Sequence, residues 1–178
     1  MTARHTRIYS RRGDLGETSL TYGPRVGKDQ KRIVLVGTLD ELSSWLGFVR
    51  AECANAELNA ILLAIQEKLF AVGAQVATLD PVKSRVTTLS HEDVTALEEM
   101  IDRLDQRLPP LDHFVIPGSS PLEAKLHLAR SVCRRAERRA VALVRHDETV
   151  SRLLIAWLNR LSDLLFLAAR FALEHPES

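Results

Sequence analysis

The sequence predicts an all-α fold, a bundle of five helices reached through a loop. Three observations carry this. Apolar residues recur at steps of three and four along five segments. Prolines fall between those segments or at the first turn of one. Strand patterning is confined to short pieces such as Arg7 to Ser10. The chain has 178 residues, which suits one domain over 1–178 with a single sizeable core.

Met1 to Arg7 is short and polar and lacks the apolar stretch of a signal peptide, so it reads as a loose basic tail. Residues 8–30 hold Gly13, Gly16, Gly23, Gly27 and Pro24 among polar residues, which argues against a helix. The first helix is expected over Arg32 to Glu52, with Ile33, Val36, Leu39, Leu42, Leu46 and Val49 on its apolar stripe. Gly37 inside it costs about 1 kcal/mol relative to alanine, which suggests close packing there. The second is expected over Ala56 to Leu79, where Leu58, Leu62, Ile65, Leu69, Val72 and Val76 form a bundle seam that Pro81 helps to stop.

Lys83 to Leu89 reads as a linker. Ser90 is the natural N-cap of a third helix, with Glu92 and Asp93 in the first turn where the helix dipole favours them. Its stripe is Val94, Leu97, Ile101, Leu104 and Leu108, and Pro109-Pro110 ends it. Leu111 to Ser120 is a loop with one apolar patch, Phe114-Val115-Ile116. Pro121 opens the fourth helix, which runs to about His146. The fifth runs from about Thr149 to Glu174 on Leu154, Trp157, Leu158, Leu161, Leu165, Ala168 and Phe171.

Composition excludes several functions. Net charge is +1 and aromatics are 5%, which disfavours a nucleic-acid surface. Cys53 and Cys133 stand far apart without metal-ligand spacing, and read as two buried thiols in a reducing cytoplasm. No apolar run reaches the roughly 18 residues of a membrane span. Glu-x-x-His pairs, which a di-iron bundle needs, are absent, and no Ser/His/Asp or Cys/His motif is present.

Three constellations could carry chemistry. The first is the loop Ser10-Arg11-Arg12-Gly13-Asp14-Leu15-Gly16-Glu17-Thr18-Ser19, whose glycines would let backbone N–H groups approach phosphate. It lacks the GK[ST] ending of a Walker A loop, and taken alone the segment fits a solvated N-terminal loop better. The second is Arg130 to Arg139. On a helix Arg130, Arg134, Glu137 and Arg138 share one face, while Arg135 and Arg139 point about 100° away. Three guanidiniums and a carboxylate make a polyanion clamp, though a solvated face laced by salt bridges has the same composition. The third is Asn159-Arg160-Leu161-Ser162-Asp163, where Asn159 and Asp163 are expected on one face pointing into a dry bundle. There they would either join two helices or meet the arginines and a ligand.

Five blocks together resemble one family. Ile8-Tyr9-Ser10-Arg11-Arg12-Gly13-Asp14-Leu15-Gly16-Glu17-Thr18-Ser19-Leu20, followed by Arg25-Val26-Gly27-Lys28-Asp29, is similar to its N-terminal loop. Gly37 to Gly47, with Asp40-Glu41-Leu42, resembles its first helix. Phe114-Val115-Ile116-Pro117-Gly118 resembles its aromatic loop, and Leu126 to Arg139 and Leu158 to Asp163 resemble its two strongest signatures. The family is the PduO-type ATP:cob(I)alamin adenosyltransferases; the matches fall in order along nearly the whole chain, with the middle, about residues 53–112, unremarkable.

The resemblance implies a homotrimer of five-helix bundles, each with an N-terminal phosphate-binding loop and with active sites between subunits. It implies ATP contacts from Ser10, Arg11, Arg12, Gly13, Thr18, Ser19, Lys28, Arg134, Arg135, Ala136, Glu137, Arg138 and Asn159. Lys28, Arg134, Glu137 and Arg138 would serve catalysis, with Glu137 reaching Mg²⁺ through water. Asp40 and Arg130 match a pair that links subunits near the corrin, and Phe114 matches the aromatic beneath cobalt. Ser10 and Arg12 depart from the usual threonines, which removes a hydroxyl at position 12, and Gly118-Ser119-Ser120 stands where a Gly-Gly start is commoner. The implied reaction moves the 5′-deoxyadenosyl group of ATP to cobalt(I) of cobalamin and releases triphosphate. A reductase and an adenosylcobalamin-dependent client enzyme are the implied partners. A non-catalytic module that binds ATP and cobalamin for delivery is the alternative.

Overall fold

The apolar stripes close into one bundle in a computed structural model that describes residues 9–80, 85–147 and 149–175. Five helices follow a small hairpin: β1 (Glu17–Ser19), β2 (Arg25–Gly27), α1 (Lys31–Glu52), α2 (Ala56–Val76), α3 (His91–Asp105), α4 (Pro121–Val144) and α5 (Leu153–Glu174). The hairpin is antiparallel, with Thr18 opposite Val26. α4 packs on both α1 and α5, while α2 lies against α1 and α3 against α5.

The core is mainly aliphatic. Leu35, Leu39, Leu42 and Leu46 of α1 are buried, with Leu126, Ala129, Cys133, Ala136 and Ala140 of α4. Small residues on α4 let it sit close between two neighbours. α5 contributes the two largest fully buried side chains, Trp157 and Phe171. Truncating one of the buried leucines to alanine would cost about 2–5 kcal/mol.

The caps follow the sequence. Asn55 accepts the Leu58 N–H at 2.9 Å, and the Ser90 N–H donates to Asp93 at 2.9 Å. Ser120 accepts the Glu123 N–H at 3.2 Å, with Pro121 in the first turn of α4. Each such cap contributes about 1 kcal/mol.

Several boundaries differ from expectation, each for a local reason. α2 stops at Val76 rather than Leu79, because its last carbonyls are taken by other partners. The Arg32 guanidinium donates to the Val76 and Thr78 carbonyls at 2.6 and 3.1 Å, and the Thr21 N–H donates to the Ala77 carbonyl at 3.0 Å. α3 ends at Asp105 rather than Leu108, as the Arg107 and Leu108 N–H groups turn back to Leu104 and Asp105, both at 3.1 Å. α4 ends at Val144, short of His146, and α5 begins at Leu153 rather than Thr149. Asp147 and Thr149 are instead held in the connection as acceptors for Arg32. The strand piece expected at Arg7 to Ser10 does not form over Tyr9 and Ser10, and Arg7 lies outside the described residues, as does the rest of the tail. Gly37 is exposed, and a Cβ there would meet nothing within 4 Å, so the close packing expected of it does not occur within this chain.

Cys53 and Cys133 are free and buried, and burial pushes both thiols above their ordinary range. No helix among the described residues is long and apolar enough to cross a membrane.

Candidate active site

The N-terminal loop is built as a tight turn. Arg11 has φ 58° and Gly16 has φ 81°, and the Gly16 N–H donates to the Gly13 carbonyl at 3.2 Å. Gly16 relieves one left-handed position, as only glycine adopts it freely. The Lys28 N–H donates to the Gly16 carbonyl at 2.8 Å, and its ammonium donates to the Gly13 carbonyl at 3.0 Å. A Cβ on Gly13 would stand 3.1 Å from Lys28 Nζ, so a side chain there would displace the ammonium slightly. Lys28 is therefore folded over the turn with ammonium donors to spare. Arg25 fastens the same turn through the Arg12 carbonyl at 2.5 Å and Glu17 at 3.0 Å. Ser10, Arg11, Arg12 and Ser19 are exposed around it, with Thr18 half-buried.

α4 carries its arginines in two sets. Arg135 pairs with Glu41, and Arg139 donates to Thr38 and to the Val34 carbonyl, so both bind α4 to α1. Arg134 and Arg138 are exposed and make no hydrogen bond or ion pair among the described residues. Their guanidiniums present donors to solvent in the fork that suits phosphate oxygens. Glu137 lies between them in sequence and is held by Asn159, whose amide donates to its Oε1 at 3.2 Å. Asn159 in turn accepts from Arg160 at 2.9 Å, and Arg160 pairs with Glu98 of α3 at 2.8 Å. Ala136 is fully buried, so its side chain supports the helix from the core side.

Two expectations about this face change. Asp163 does not point into the bundle beside Asn159. It is exposed and Asn159 is half-buried, because the inward positions of that turn belong to Leu161, Ser162, Leu164 and Leu165. Arg130 does not stand free beside Arg134. Its Nε donates to His127 Nδ1 at 3.2 Å, and its guanidinium lies 5.9 Å over the Phe166 ring.

The remaining candidates lie elsewhere on the surface. Phe114 is 99% exposed on the loop between α3 and α4, beside a hollow of about 520 Å³ shared with Pro109, Leu111, Ile116, Arg170 and Leu173. Since it packs on nothing, it does not plug the bundle end. Asp40 is exposed beside an apolar groove of about 280 Å³ between α1 and α2, where Phe70 is 71% exposed. Asp40 and Arg130 do not meet within the chain, and the hairpin makes no packing contact with α4. The structure thus joins Glu137 to Asn159 and Lys28 to Gly13, while the strands that carry the glycine turn do not pack on α4.

Sequence reasoning missed Glu123 and His127, which are 0% and 4% exposed on α4. The signal was available: Ser120-Pro121-Leu122-Glu123 has capping-box spacing, and a histidine four residues on shares its face.

A helical bundle with two exposed arginines free of ion pairs among the described residues, and a glycine turn under a lysine, has the chemistry of a protein that holds a polyanionic ligand. Comparison with known proteins makes this specific. Residues 8–172 match the sequence model of the cobalamin adenosyltransferase family. A corrinoid adenosyltransferase of Citrobacter freundii is 42% identical over 179 residues, 96% of this chain and 97% of that protein. One from Bacillus subtilis is 40% identical, covering 92% of this chain and 85% of the relative. A variant PduO-type ATP:corrinoid adenosyltransferase from Lactobacillus reuteri, solved with cobalamin and ATP, superposes with TM-score 0.85 at 34% identity, covering 93% of each chain. The chain belongs to the cobalamin adenosyltransferase family.

Proposed function

We propose that this protein is an ATP:corrinoid adenosyltransferase, which transfers the 5′-deoxyadenosyl group of ATP to cobalt(I) of cobalamin and releases triphosphate. The observation that carries this reading is the pair Arg134 and Arg138, exposed and without an ion pair beside a carboxylate fixed by Asn159. Such a face fits a triphosphate, and the family fits the rest.

Bond formation between cobalt and C5′ expels a leaving group of about four negative charges, so cationic donors aimed at it lower the barrier as charge develops. Arg134, Arg138, Lys28 and Arg12 supply those donors. Ser10, Arg11, Gly13, Thr18 and Ser19 would cradle the nucleotide through loop hydroxyls and N–H groups. Asn159 holds Glu137 through Oε1, which would leave Oε2 for the phosphate side of the site. A single half-buried carboxylate suits Mg²⁺, which keeps most of its waters and binds phosphates directly. Glu137 would hold the ion through water, and Mg²⁺ would neutralise part of the triphosphate charge. Arg135 acts by fixing α4 on α1. No general acid or base is needed, because the reaction is positioning plus electrostatics.

The assembly that fits is a homotrimer. β1 and β2 make no packing contact with α4 within one chain, and a second copy would bring the loop and the arginine face onto one ATP. The same assembly would bring Asp40 of one copy towards Arg130 of the next, with Phe114 on the lower face of cobalt. A reductase would supply the electron that makes cobalt(I), and an adenosylcobalamin-dependent enzyme would take the product. A reducing cytoplasm suits the two buried free thiols.

Anaerobic mixing with ATP and chemically reduced cobalamin, followed optically, tests the reading. Conversion to the alkylated cofactor is expected. Tight binding of both ligands without conversion would instead identify a delivery module.

A further inference from the structure

We infer that Glu123 and His127 are positioning residues that tie the Phe114 loop to Arg130, so that both sides of the corrin site are set by one buried link. The inference rests on the adenosyltransferase reading for its consequence, but the link itself can be measured without it.

Glu123 is 0% exposed in the first turn of α4. Its Oε2 accepts two successive backbone N–H groups of the loop, from Gly118 at 2.8 Å and Ser119 at 3.1 Å. Gly118 has φ 121°, a conformation that turns the chain so that both donors converge on one oxygen. These residues follow Phe114-Val115-Ile116-Pro117 directly, so the carboxylate pins the loop's C-terminal end. An ionised carboxylate also gains from the N-terminal end of the α4 dipole.

The other oxygen leads to Arg130. Glu123 Oε1 lies 3.0 Å from His127 Nε2, one helical turn on. The two atoms approach without the alignment of a hydrogen bond, and neither has a hydrogen-bond partner elsewhere among the described residues, so each is the only polar group the other has to turn to. His127 Nδ1 accepts from Arg130 Nε at 3.2 Å, which leaves the ring proton on Nε2, facing Glu123. Burial lowers the His127 pKa, Glu123 opposes that and Arg130 adds to it, so the neutral ring that this geometry requires is the favoured form. Phe166 of α5 closes the stack, 6.0 Å from the His127 ring and 5.9 Å from the Arg130 guanidinium. The polar line runs from Gly118 and Ser119 through Glu123 and His127 to Arg130.

Two substitutions separate the two ends. Glu123→Ala removes both. Glu123→Gln keeps an amide oxygen for the loop, but turns an NH₂ towards His127 Nε2. The ring would then have to accept there and donate from Nδ1, against Arg130 Nε, itself a donor.

Hydrogen exchange at the Gly118 and Ser119 amides reads the link directly in the protein alone. Protection of roughly tenfold or more is expected in the wild type and in Glu123→Gln, and its loss in Glu123→Ala. In turnover, Glu123→Ala should lower kcat from cobalt(II) by about tenfold and diminish the four-coordinate cobalt(II) absorption, with KM for ATP within about twofold. Glu123→Gln should raise KM for cobalamin about fivefold through misplaced Arg130. Unprotected amides in the wild type overturn the link, whatever becomes of the alanine variant. Protected amides with a Glu123→Gln enzyme that matches wild type in KM for cobalamin overturn the Arg130 end. A wild-type protein with protected amides but no alkylation of cobalamin counts against the adenosyltransferase reading and not against the link.

Discussion

Asn159 Nδ2 donates to Glu137 Oε1 at 3.2 Å and so fixes the one carboxylate that stands between Arg134 and Arg138 in sequence. The contact joins α5 to α4 at the middle of the proposed ATP site. Released from Asn159, Glu137 could turn to either arginine and cancel charge meant for phosphate. Asn159→Ala is therefore expected to lower kcat/KM for ATP by about 10–100-fold. Circular dichroism and the thermal midpoint should be nearly unchanged, since Asn159 is only half-buried. Steady-state kinetics at varied ATP checks this.

Arg134→Ala should reduce kcat by on the order of 10²-fold or more, by removing a donor whose contact strengthens as triphosphate departs. Stability should hold, because Arg134 is exposed and has no protein partner to lose. A mixing experiment adds the assembly. If each site takes its loop from one copy and its α4 from another, subunits carrying Lys28→Ala and subunits carrying Arg134→Ala can combine. Random reassembly would restore roughly a quarter of the sites, those with both wild-type halves. Mixtures that stay as inactive as their parents after subunit exchange would place both residues in a site made by one chain.

Arg32 holds the far end of the bundle. It is 4% exposed and donates to the Val76 and Thr78 carbonyls, to Thr149 and to Asp147. Arg32→Ala should destabilise the fold by about 3 kcal/mol, as buried acceptors lose their partner. Burial of Asp147 works against its ionisation, but hydrogen bonds from Thr149 and Arg32 outweigh it and hold the carboxyl below its usual range. A depressed carboxylate contributes stability that is present above its unfolded pKa. That stability is lost as pH falls through the lower folded value. Denaturant melts from pH 6 down to 2 should show wild-type stability falling below about pH 4, with a shallower fall in Asp147→Asn.

Much of this was legible in the sequence, for stated reasons. Helical spacing placed all five helices, since an amphipathic stripe has to bury one face. Their ends were less legible, because Arg32 reaches from α1 to the carbonyls that close α2 and no local pattern encodes that reach. Helix geometry put Arg134 and Arg138 on one face, but could not show that Arg130 turns to His127 or that Asp163 faces solvent. Those outcomes depend on which neighbour each side chain meets. Gly37 shows a further limit. Its glycine answers to nothing within the chain, so packing inside one copy cannot explain it.

Phe114→Ala is expected to harm reduction of cobalt(II) to cobalt(I) far more than ATP binding. Phe114 is 99% exposed and packs on nothing in its own chain, so truncation removes no core contact and should leave the thermal midpoint where it was. An exposed phenyl group on a loop anchored by Glu123 through Gly118 and Ser119 is placed to meet a partner outside the bundle. If that partner is the lower face of the corrin, the ring excludes water and imidazole-type ligands from cobalt. Four-coordinate cobalt(II) then accepts an electron more easily than the five-coordinate form. Truncation would readmit the ligand, diminish the four-coordinate absorption and slow turnover from cobalt(II) by about tenfold or more. Pre-reduced cobalt(I) should bypass part of the defect, because its preferred geometry already lacks a strong lower ligand. The comparison is turnover from each oxidation state, with ATP affinity measured alongside. A full four-coordinate signature together with weakened ATP binding would move Phe114 away from cobalt and onto the nucleotide side of the site.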